Sequence, residues 1–136
     1  MKKVFLDTNF LMDLLVRDDD FRSNAKLVLE ECLKFDMEMK ISFLSVANFA
    51  YIMRKTEMGQ LKEQIKLIIN LFSVVGNDES HLLNALDIET RDYEDAIQYE
   101  TALSHDCDCI VTRNQKDFRF STIPVFTPHE FLCQCR

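Results

Sequence analysis

The chain has 136 residues, 47% of them hydrophobic, which is the size and composition of one domain able to bury its own core. A formal net charge of −7 and a pI near 4.9 argue against a broad basic face for nucleic acid, but not against a local site where bound cations supply the positive charge. Two glycines, Gly59 and Gly76, exclude Gly-rich phosphate loops, and no run reaches the ~20 apolar residues of a membrane span or the length of a signal peptide, so the sequence reads as a soluble cytoplasmic protein.

Lys3 to Leu6 is an apolar run that suits a strand buried on both faces of a parallel sheet, with Asp7-Thr8-Asn9 at its carboxyl end. Leu11, Leu14 and Leu15 follow at helical spacing. The Asp18-Asp19-Asp20 run reads as a solvated loop capping a second helix, which carries Ala25, Val28, Leu29, Cys32 and Leu33. Lys40 to Leu44 is the next expected strand, with Ser45 placed to cap a helix from Val46 to about Lys55. Leu61, Ile65, Ile68, Ile69 and Phe72 mark the clearest helical periodicity in the chain. Ser73-Val74-Val75 is a candidate third strand, followed by a short helix around Leu82 to Leu86.

Asp92 to Ser104 is helical by pattern, with Ala96, Tyr99, Ala102 and Leu103 on one stripe and Asp95 inside it. Strands are expected over Cys107 to Thr112 and Thr122 to Phe126. Thr127-Pro128-His129-Glu130 then combines a Thr N-cap, Pro at the first helical position and Glu three residues on. The five cysteines (Cys32, Cys107, Cys109, Cys133 and Cys135) fit thiols in a reducing compartment. Zinc is the competing reading of the two Cys-x-Cys pairs, opposed by the divergence of Cys133 and Cys135 on a helix. Strands alternating with helices, without hairpin signals, predict a doubly wound, mostly parallel sheet in a single domain over residues 1–136.

Ligands of such sheets bind outside the carboxyl ends of the strands, which directs the search for chemistry to the acids there. Asp7 ends the first strand, Asp95 lies in the first turn of a helix, and Asn114 and Asp117 follow Thr112. Each has a plainer reading. Asp7 could cap the helix that follows, Asp95 could complete a capping box with Asp92, and Asp117 could be a loop acid beside Phe118. Aspartates gathered at one place repel, and a hard cation such as Mg²⁺ or Mn²⁺ resolves the repulsion while retaining water for hydrolysis of a phosphodiester.

Three blocks, Val4-Phe5-Leu6-Asp7-Thr8-Asn9 with Met12-Asp13-Leu14-Leu15, Tyr93-Glu94-Asp95-Ala96-Ile97 with Ala102, and Ile110-Val111-Thr112-Arg113-Asn114 with Asp117-Phe118, occur in an order and spacing that resembles the PIN-domain family of metal-dependent ribonucleases, including VapC-type toxins. The resemblance implies a three-layer α/β fold with a five-stranded, mostly parallel sheet flanked by helices. It also implies Mg²⁺ or Mn²⁺ held by Asp7, Asp95 and Asp117 as the catalytic acids, with Thr8, Asn9, Asn48 and Asn114 around them and RNA as substrate. For a toxin it implies a small antitoxin covering the site and a homodimer. Asn114 stands where many members carry aspartate, and Asn48 where the family usually carries glutamate, which leaves the site one carboxylate short.

Arg113 and Lys116 are candidates to contact a phosphate, or else solvent-exposed loop charges. Arg54 and Lys55 are ambiguous, because cations are favoured in a helix's last turn. Two other readings compete with the endonuclease. One is a catalytically weakened PIN fold that binds RNA or protein. The other, opposed by Asn9 at the place of a second aspartate, uses Asp7 as a nucleophile in phosphate transfer.

Overall fold

The apolar run after Lys2 forms the central strand of the molecule. The computed structural model describes residues 2–134. Strands β1 (Lys3–Leu6), β2 (Glu38–Ser42), β3 (Ser73–Val75), β4 (Cys109–Val111) and β5 (Val125–Phe126) pair in the order β3-β2-β1-β4-β5, every pair parallel. The helices are α1 (Thr8–Leu15), α2 (Asp20–Lys34), α3 (Phe43–Ile52), α4 (Met58–Leu71), α5 (Glu79–Leu86), α6 (Tyr93–Ser104) and α7 (Pro128–Gln134), with a 3-10 turn at Gln115–Phe118.

Side chains alternate across the pleat, so each central strand feeds two cores. Val4, Leu6, Met39, Ile41, Cys109 and Val111 point to one face, where they meet Phe10, Leu11, Val28, Phe49, Ile68 and Phe131 from the helices. Phe5 and Ile110 point to the other and meet Tyr99 and Ala102 of α6 together with Phe118. The result is the expected three-layer α/β fold, with a sheet that is parallel throughout.

Several boundaries differ from the pattern-based expectation, each for a local reason. Helix α3 starts at Phe43 because the Ser42 hydroxyl, not that of Ser45, is the cap; it accepts from the Ser45 amide at 2.9 Å. Ser45 is buried instead. Strand β4 starts late because the Cys107 amide still closes α6 by donating to the Ala102 carbonyl, after Asp106 at φ 56°. Strand β5 is cut to two residues because Pro124 has no N–H, while Ser121 and Thr122 are engaged in a turn and with Tyr99. On α6, Leu103 faces outward, and burial extends to Gln98, which meets Ser45 of α3, and to Thr101, which meets Asn77.

The caps at Asp19, Asp92 and Thr127 follow the sequence reading; Thr127 and Glu130 exchange reciprocal bonds of 3.2 Å. Cys107 and Cys109 pack into different cores and so do not converge on a common ion; Cys135 lies outside the described residues. Among the described residues, no helix is long and apolar enough to cross a membrane.

Candidate metal-dependent active site

The chain leaves β1 to build β2 and β3 on one side, then crosses to build β4 and β5 on the other. The carboxyl ends of β1 and β4 therefore form a topological switch point, where crossovers diverge and leave a crevice. Asp7 stands at the end of β1. Its Oδ1 accepts from the Phe10 amide at 3.2 Å, and its Oδ2 accepts from Thr112 Oγ1 at 2.7 Å, just past β4. Asp7 thus caps α1 and also lines the crevice, so its two readings are compatible. Burial pushes its carboxyl up from the usual range, opposed by the bonds from Thr112 and Phe10.

The crevice is a cleft of about 480 Å³ that gathers Asp7, Asn48, Glu94, Asp95, Asn114 and Asp117. Thr8 and Asn9 also line it, from the first turn of α1. Asp92, the N-cap of α6, accepts from the amides of Glu94 and Asp95. Its own amide donates to Thr90 Oγ1 at 3.2 Å, so the backbone of Asp95 is used by the cap while its carboxyl is left to the cleft. Burial, followed by the charges of Asp92, Asp117, Glu94 and Asp7, pushes Asp95 up to about 7.

From α3, Asn48 Nδ2 donates to Glu94 Oε1 at 2.7 Å. Under this bridge, Ser45 Oγ meets Thr8 Oγ1 at 2.9 Å, Ser42 Oγ at 3.1 Å and Gln98 Nε2 at 2.8 Å. One hydroxyl oxygen with two lone pairs and one proton satisfies all three only if one contact runs outward from Ser45. This buried cluster ties α1, α3 and α6 together beneath the cleft. Asp117 lies in the 3-10 turn, its amide donating to the Asn114 carbonyl at 2.9 Å, and the Asn114 amide donates to Thr112 Oγ1.

Arg113, expected at a phosphate, is committed elsewhere. Its Nε and Nη2 donate to the buried Asp13 carboxylate at 2.8 and 3.2 Å, and its guanidinium lies 4.0 Å from the centre of the Phe21 ring. Lys116 is exposed in a groove of about 300 Å³ that shares Asp92, Asp95 and Asp117 with the cleft and also carries Arg91 and Arg119. Those two arginines, Glu94, Gln98 and Ser45 are site neighbours that the sequence reading did not select. Only Glu94 carried a local signal, a second acid beside Asp95 in a first helical turn.

The donor set suits a hard cation. Its carboxylate and amide oxygens are hard donors, and its clustered negative charge adds to burial in raising Asp95 to about 7. Among the described residues no group of three or more His, Cys, Asp or Glu side chains is arranged to hold a metal ion alone. Mg²⁺-type binding needs only one or two direct carboxylates, with water in the remaining positions.

A family model for the PIN domain matches residues 3–116. The chain belongs to the PIN-domain family. PIN domains are generally nucleases and generally use divalent metal ions. Among solved structures, this PIN domain is similar to a chain of a toxin–antitoxin complex from Klebsiella pneumoniae, with 26% identity, a TM-score of 0.68, and 93% of this chain and 98% of that one covered. It shares its fold with a chain of VapBC2 from Rickettsia felis bound to a DNA fragment from their promoter (14% identity, TM-score 0.61, 91% and 96% covered). A protein of Pyrobaculum aerophilum has the same fold (13% identity, TM-score 0.66, 98% and 89% covered). No curated protein matches the chain.

Proposed function

We propose that this PIN domain is a divalent-metal-dependent endoribonuclease and the toxin of a toxin–antitoxin pair. The observation that carries the reading is the convergence of Asp7, Asp95 and Asp117 from three separate segments on one cleft at the switch point, where burial and then the neighbouring carboxylates raise Asp95 to about 7. These three carboxylates would hold Mg²⁺ or Mn²⁺, with Thr8, Asn9, Asn48 and Asn114 around them. The bound ion would supply Lewis-acid polarisation of the scissile phosphate and a water activated for attack. The Asp7 carboxylate is oriented for this by Thr112 and Phe10, and Asp117 is carried by the turn that its backbone amide closes on the Asn114 carbonyl. Lys116, with Arg91 and Arg119 in the adjoining groove, would carry the RNA backbone past the acids.

The deciding assay compares RNA cleavage by wild type and Asp7→Asn with Mn²⁺ present. Loss of on the order of 100-fold is expected if Asp7 supplies several kcal/mol of transition-state stabilisation through the metal. Equal cleavage by the two proteins would sink the assignment.

The likeness to a toxin–antitoxin chain supports a small antitoxin partner. Exposed Phe43, Tyr51 and Ile52 on α3, the last two at the rim of the cleft, are the apolar contacts such a partner or a second copy of the chain would cover. Co-purification with the product of an adjacent short reading frame tests the antitoxin, and a chain that is harmless when expressed alone would count against it. A weakened PIN fold that binds RNA or protein is the second reading, favoured by the amide at Asn48. Saturable Mn²⁺ binding in a calorimeter separates the two, since a degenerate site should bind none.

A further inference from the structure

We propose that Glu94 supplies the carboxylate that position 48 lacks: Asn48 is a positioning residue that holds Glu94 at the cleft, and Glu94 is a ligand of the divalent cation. The proposal rests on the metal-dependent reading above. Asn48 Nδ2 reaches Glu94 Oε1 at 2.7 Å, linking α3 to α6 across the cleft that both residues line with Asp7, Asp95 and Asp117. A glutamate in the first turn of a helix is ordinarily a solvated side chain with many rotamers, and fixing it costs entropy. The bond from Asn48 fixes this one while occupying one lone pair, so the remaining acceptor positions of the carboxylate stay available. An asparagine here thus places a negative charge at the cleft without carrying it.

Gln98 supplies an independent observation. It lies one turn beyond Glu94 on the same face of α6, lines the same cleft and is 2% exposed. Its Nε2 donates to Ser45 Oγ at 2.8 Å, which leaves Oε1 buried without a hydrogen-bond partner. A buried acceptor of this kind is costly unless a donor reaches it. A hydrated divalent cation brings O–H donors with it, whereas another carboxylate would not. Glu94, Asp95 and Gln98 then form one face of α6 built for a hydrated cation, and the acid expected on α3 has been moved to α6.

The test is calorimetric titration with MnCl₂ of wild type, Glu94→Gln, and the double variant Asn48→Asp with Glu94→Gln, each followed by thermal unfolding without metal. Glutamine keeps the length of Glu94 and its contact with Asn48. The single variant should therefore unfold near the wild-type temperature yet bind Mn²⁺ about tenfold or more weakly. The double variant reverses the hydrogen bond and returns one negative charge across it, so affinity should recover to within about threefold of wild type. Equal affinity in wild type and Glu94→Gln overturns the proposal while the metal reading stands. Failure of the double variant to recover also overturns it. Absence of saturable binding by wild type sinks the metal reading, and this proposal with it.

Discussion

Asp95 holds its proton near neutral pH because burial and four neighbouring carboxylates, Asp92, Asp117, Glu94 and Asp7, all disfavour its ionised form. A folded carboxyl raised from 3.8 to about 7 binds more protons than the unfolded chain between those values. Stability therefore falls as pH rises through that window and levels off above it. Asp7 is raised as well and adds in the same direction. Asp19, Glu57, Asp78, Asp108 and Glu130 are lowered, so they add stability as pH rises through the ordinary carboxylate range and contribute little further slope above about pH 5. The metal-free protein should lose melting temperature between about pH 5 and 7.5, Asp95→Asn should flatten much of that loss, and Mn²⁺ should restore stability at the upper end. A wild-type profile as flat as that of Asp95→Asn would refute this account.

At the scale of elements, Arg113, two residues past β4, has two jobs open to it, and packing decides between them. Arg113 follows a strand end beside the acids, which made a phosphate contact a fair expectation from sequence. Asp13 is what the linear pattern concealed: helical periodicity places it on the buried side of α1, where a carboxylate needs a partner, and Arg113 meets it with two bonds while stacking on Phe21 of α2. The pair joins the end of β4 to α1, and the ring contact extends the connection to α2. Arg113→Ala would leave the buried Asp13 carboxylate only the looser 4.0 Å contact with Arg17 Nε, and the expected cost is about 2 kcal/mol, read as a lower urea midpoint with unchanged m-value. Arg113→Lys should recover only part, because an ammonium cannot reproduce the two-pronged contact. An unaltered midpoint with weakened RNA binding would return Arg113 to the phosphate. The same limit explains the misplaced cap of α3. The sequence pattern pointed to Ser45, but Thr8 and Gln98 engage its buried hydroxyl, and Ser42 three residues earlier takes the cap.

For the whole molecule, the order of apolar runs and helical segments was enough to foresee a parallel sheet, and a parallel sheet fixes where its crevice falls. That is why Asp7, Asp95 and Asp117 were legible while Arg91, Arg119 and Gln98 were not: the former sit at strand ends or in recognisable blocks, and the latter are brought in by how α6 and its flanking loops lie. Overall charge sharpens the issue. A chain of net charge −7 repels a polyanion at long range, so the proposed RNA binding would have to rest on a few local cations and the proposed metal. The groove holding Arg91, Lys116 and Arg119 beside Asp95 and Asp117 offers three such cations. If each contacts a phosphate of single-stranded RNA, replacing all three by alanine should reduce the slope of log binding constant against log salt by ~2, and affinity should fall similarly across unrelated sequences. The substitutions lie on exposed or partly exposed loop positions and should leave the melting temperature near wild type. Measured in an Asp7→Asn background to suppress cleavage, an unchanged salt slope would show that the RNA runs along another face of the protein.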